Sequence, residues 1–109
     1  MKTIRQRIME LGGCPNKESF HILCLAILVA KQALPVEIQM KAIWAEVNKE
    51  LTKRKKIPAI SKAIERGVDD VFTYGERKML AEYSKAWLYE QPKPKDFIIV
   101  IASSLPDEI

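Results

Sequence analysis

Apolar residues recur at Ile4, Ile8 and Leu11 and then stop at Gly12-Gly13, the spacing of a short helix closed by a glycine C-cap. Pro15 and Asn16 open a new segment, with Asn16 or Ser19 expected to cap it. From Phe20 to Leu34 the chain is then apolar on nearly every side. A helix that is hydrophobic all round belongs at the centre of a bundle. The length of this run, and its excess of Ala, Leu and Cys over β-branched residues, argue against a buried strand. Pro35 interrupts the pattern, and a third helix is predicted from about Val36 to Leu51. Its apolar stripe is Met40, Ile43, Trp44, Val47 and Leu51, with Lys41, Glu46, Lys49 and Glu50 on other faces.

A polar basic connection, Thr52-Lys53-Arg54-Lys55-Lys56, leads to a fourth helix over about 58–73. Pro58 suits a first helical position because its φ is already fixed and its missing N–H would have had no partner. Ile60, Ile64, Val68, Val71 and Phe72 form the inward stripe. Ser61, Lys62, Glu65, Arg66 and Asp69 fall on the other side, and Tyr74-Gly75 ends the helix. Gly67 lowers helix propensity by roughly 1 kcal/mol, so it marks either a close helix contact or a weak spot. A fifth helix is predicted over about Glu76 to Ser84, with a reach to Trp87. Glu90 to Lys95 reads as loop, because its two prolines forbid continuous helix. The run Phe97 to Ala102 has the composition of a strand. Nothing else in the chain offers it a pairing partner, so it is assigned to a helix reaching Leu105.

These elements give an all-α chain, a six-helix bundle in a single domain over 1–109. Composition changes the picture little: 48% hydrophobic residues suffice for one core, and the net charge of +4 favours anionic partners only weakly. Cys14 and Cys24 form no CxxC, and one histidine cannot complete a zinc set. They are read as reduced thiols of a reducing compartment. The first 13 residues lack the apolar core of a signal peptide. The run Ile22–Ala30 falls short of the roughly 20 residues a membrane span needs. The expected location is the cytoplasm, with no membrane contact.

Catalysis finds no support. There is no Gly-rich phosphate loop, nucleophile elbow or HExxH, and Asp69 and Asp70 diverge by about 100° on a helix. His21 reads as a partly buried structural residue. No cofactor, metal or small-molecule substrate is expected. The charge distribution is more informative. Residues 41–66 hold eight Lys or Arg against three Glu, an excess of five, larger than that of the whole chain. Cations gathered at the entry of an amphipathic helix, behind a short connection from another helix, are what helix-turn-helix DNA recognition requires.

At this point the residues resemble a known family, the C-terminal effector domain of stage 0 sporulation protein A. The likeness begins at Ile4-x3-Ile8-Met9-Glu10-Leu11-Gly12 with the following Pro15, and passes through Leu23 and Ala26-Ile27. It is clearest in Ala63-Ile64-Glu65-Arg66-x-Val68. It closes on Lys93-Pro94-x2-Phe97-Ile98-x2-Ile101-Ala102-x2-Leu105, so that residues 4 to 105 are covered. The resemblance implies six helices, with the third and fourth forming a helix-turn-helix and the fourth entering the major groove. It also implies contacts between DNA-bound copies through the last helix, which it makes helical rather than extended. Two departures stand out. The chain lacks the family's receiver domain, so it would be a stand-alone, divergent member. At the base-contacting positions Lys62 keeps a cation, but Ser61 stands for an acid and Glu65 for a base, which points to an altered DNA site.

The expected function is a non-catalytic, sequence-specific transcriptional regulator of double-stranded DNA. Base contacts are assigned to Ser61, Lys62, Glu65 and Arg66, and phosphate contacts to Lys53, Arg54, Lys55 and Lys56. Self-association, as a homodimer through the last helix, is assigned to Phe97, Ile98, Ile99, Ile101 and Leu105. The rival expectation is a protein-interaction module that keeps the fold without DNA. In that case Glu65, Asp69 and Asp70 make the helix face too acidic, and Ile98, Ile99 and Val100 cannot all be buried.

Overall fold

The computed structural model describes residues 3–34, 36 and 38–105. Six α-helices follow in order, and no strand occurs among the described residues: α1 Ile4–Glu10, α2 Glu18–Ala33, α3 Met40–Glu50, α4 Ile57–Tyr74, α5 Arg77–Ala81 and α6 Pro94–Ser104. One turn of 3₁₀ helix, Lys85–Leu88, lies between the last two. The chain is all-α, as the hydrophobic pattern requires. The break expected at Pro35 lies outside the described residues.

Local chemistry sets the ends of α1. Thr3 Oγ1 accepts from the Gln6 N–H (3.2 Å) while Gln6 Oε1 accepts from the Thr3 N–H (2.8 Å), a capping box. At the other end Gly12 takes φ +112°, which brings the Gly13 N–H to the Ile8 carbonyl (2.8 Å) and the Gly12 N–H to that of Met9 (3.1 Å). This pair of bonds is a Schellman closure, and the positive φ is why glycine stands there.

α2 is the centre of the bundle and packs against α1, α3, α4 and α6. Phe20, Ile22, Leu23, Cys24, Ala26, Ile27, Val29 and Ala30 are all buried along it. Neither Asn16 nor Ser19 caps it. Its N-cap is Lys17, without a side-chain bond, because the Lys17 N–H closes a turn onto the Cys14 carbonyl (3.1 Å) and moves the start past Asn16. Glu18 in the first turn answers the exposed N–H groups electrostatically instead. Gly67 of α4 lies directly on this helix. A methyl group there would stand 2.9 Å from Leu23 Cβ and 3.0 Å from the Ser19 carbonyl oxygen. Of the two readings of Gly67, the close helix contact is the one observed.

α4 opens at Ile57, so Pro58 takes the second helical position rather than the first. Three further boundaries differ from the expected ones. α3 starts at Met40 rather than near Val36. The β-branched Val36 is exposed, and Ile38 packs on the core ahead of the helix, whose N-cap is Gln39. The fifth helix stops at Ala81, because Ser84 is extended and the chain turns to bring Trp87 inward. There Trp87 stacks on Phe97 (5.3 Å between ring centroids) and meets Phe72 edge-on (5.7 Å). Arg77 ties the segment after this break to α4, donating to the Trp87 carbonyl (2.9 Å) with its guanidinium over the Phe72 ring. Finally, the loop expected through Lys95 ends at Lys93, since Pro94 takes the first helical position of α6.

The last helix also corrects the self-association face. Phe97, Ile98, Ile101 and Leu105 are buried in this chain's own core. Of the five residues assigned there, only Ile99 reaches the surface, half-buried beside Val100. A helix against a core turns every third or fourth residue inward, and 97, 98, 101, 102 and 105 follow that spacing.

Candidate nucleic-acid interface

α4 carries its buried stripe as expected: Ile60, Ile64, Val68, Val71 and Phe72, joined by Gly67. With this side against α2 and α3, the opposite side of α4 is presented outward. Lys62, Glu65, Arg66 and Asp69 are exposed on it, and so is Ala59 in the first turn. Ser61 is half-buried on the flank of the inward stripe, so it is set apart from the exposed row.

The outward side of α4 and the start of α2 enclose an open groove of about 750 Å³. Lys55, Ala59, Lys62, Ala63, Arg66, Asp69 and Asp70 line one wall, and Lys17, Glu18 and Ser19 the other. Three of the residues assigned to DNA contact, Lys55, Lys62 and Arg66, therefore meet in one place. Ser61 and Glu65 do not line it.

Most charges in the groove are already engaged. Lys17 Nζ lies 3.2 Å from Asp70 Oδ2, and that carboxylate, by hydrogen bonding first and by charge second, holds the Lys17 ammonium above the ordinary lysine value. Lys55 Nζ pairs with Glu18 Oε1 at 2.9 Å. Asp69 accepts a hydrogen bond from the Gln91 side chain. Lys62 and Arg66 have no ion-pair partner among the described residues. The two cations on the outward side of α4 are thus uncommitted, while both acids in its second half are held.

The basic connection is ordered by a residue that sequence reading passed over. Asn48, in the last turn of α3, donates from Nδ2 to the Lys55 carbonyl (2.9 Å) and accepts the Lys55 N–H at Oδ1 (3.0 Å). The side-chain amide thus acts as a backbone partner and fixes the chain two residues before α4 begins. An asparagine within a helix is disfavoured by propensity, and its pairing with nearby backbone is the usual compensation, so the signal was available. Lys53, Arg54 and Lys56 are exposed along this connection without ion-pair partners among the described residues. Lys55 is half-buried and turned to Glu18.

His21 is exposed rather than partly buried. Cys14 and Cys24 are free thiols. Among the described residues no group of three His, Cys, Asp or Glu side chains converges as metal ligands would. No helix among them is long and apolar enough to cross a membrane. No family model, curated protein or solved structure matches the chain.

Proposed function

We propose that the protein is a non-catalytic, sequence-specific DNA-binding regulator in which α4 enters the major groove. The observation that carries this reading is the state of the charges: Lys62 and Arg66 point outward unpaired, whereas Asp69 and Asp70 on the same helix are engaged. α3 and α4 would serve as a helix-turn-helix, with a connection longer than the usual three or four residues and clamped by Asn48. Arg66 and Lys62 suit guanine O6 and N7, and Glu65 suits a cytosine amino group or the orientation of Arg66. Lys53, Arg54 and Lys56 suit phosphates, with Lys55 held back by Glu18. The resemblance to the effector domain of the sporulation regulator supports the same assignment.

The test is a binding comparison between a duplex selected from a random pool and its scrambled version. Arg66→Ala should lose at least about fivefold of the discrimination, the lower end of the range for one bidentate base contact. Unchanged discrimination would remove Arg66 from the interface.

One observation favours a second reading, a protein-interaction module. Leu88 and Tyr89 are exposed, Tyr89 by 86%, and the lining of a cavity of about 330 Å³ nearby includes Trp87, Pro92, Ile99 and Val100 together with Glu90 and Asp96. On that reading the contact face is centred on these residues and not on the buried positions of α6.

A further inference from the structure

Two alanines sit among the cations of the α4 groove. Ala59 is exposed in the first turn of the helix, and Ala63 is half-buried one turn on; both line the groove with Lys62 and Arg66. Their methyl groups give the groove a small apolar surface beside the two unpaired cations. The major-groove edges of the bases offer one apolar group, the 5-methyl of thymine, and alanine is small enough to meet it without ordering a side chain. The first turn of a recognition helix is also the part that approaches base edges most closely.

We propose that Ala59, with Ala63 behind it, is a specificity residue that reads thymine methyl groups, so that the preferred site sets thymine beside the guanines read by Lys62 and Arg66. This inference rests on the DNA-binding reading. Its test uses the whole chain and a duplex selected from a random pool. Each thymine is replaced in turn by deoxyuridine, which removes the methyl group and keeps the base pairing. One replacement should weaken binding about fourfold, the worth of one buried methyl group. In Ala59→Gly, which leaves an exposed position without a methyl, the same replacement should change binding less than about twofold. Equal binding of thymine and deoxyuridine duplexes at every position would overturn the inference while leaving DNA binding intact. An equal loss in Ala59→Gly would overturn it too, since the methyl would then act through another residue or through DNA shape. If no duplex is selected at all, the DNA reading fails and this inference with it.

Discussion

Lys62 and Arg66 differ from the other lysines of their groove in having no carboxylate within ion-pair distance among the described residues. An unpaired, exposed cation keeps its hydration until an anion or a base edge displaces it, whereas Lys17 and Lys55 would first have to leave Asp70 and Glu18. Sequence order alone could not separate these cases, because the pairs span 53 positions in one case and 37 in the other. For the same reason the assignment of Lys55 to phosphate looked as sound as that of Lys56. At the opposite extreme of exposure, burial pushes the Cys24 thiol up to about 12, against a smaller opposing effect from Arg5. A thiol raised in the folded state favours folding below its ordinary value of 9.0, and that contribution is lost as pH rises towards 12. Alkylation near pH 8 should therefore label one thiol, the half-buried Cys14, and reach Cys24 only in denaturant. Two thiols labelled in the folded protein would contradict the burial of Cys24.

At the level of elements, the close seat of α4 on α2 can be tested through Gly67. Alanine there would gain roughly 1 kcal/mol of helix propensity. It would also drive a methyl group into the Ser19 carbonyl and Leu23, at 3.0 and 2.9 Å, and overpacking costs about 1–3 kcal/mol. Since a backbone carbonyl cannot step aside, Gly67→Ala should lower the melting temperature by several degrees, and a rise would show that the helices do not approach so closely. This contact was only half legible in the sequence: the glycine was visible, but its neighbour on α2 was not. The inward stripe of α4 could be read because period and burial coincide, and the central place of α2 because it is apolar on nearly every side. The break after Ala81 could not, because it is imposed by Trp87 reaching the distant Phe72 and Phe97. The self-association face failed for a related reason: three consecutive apolar residues showed that one must be exposed, but not which. The start of α3 was not legible because Val36 and Ile38, which precede the helix, are as apolar as the stripe that follows.

For the molecule as a whole, the charge excess between Lys41 and Arg66 is divided by the fold into engaged and free cations. Only the free ones should release counterions on a duplex. Replacing Arg54 and Lys56 together should reduce the slope of log affinity against log salt by about 2, one per phosphate contact. Replacing Lys55 should change it less, because its charge is already answered by Glu18. Slopes measured between low and physiological salt would show the difference, and equal effects would mean that the Lys55–Glu18 pair gives way on DNA.

The claim that the outward side of α4 is the contact face is tested most directly by following the backbone amides of the isotope-labelled protein through a titration with its selected duplex. The account predicts saturable shifts concentrated in residues 53–66, with little change at Leu88, Tyr89, Ile99 and Val100. Shifts centred on those four residues, or no saturable change with any duplex, would contradict it.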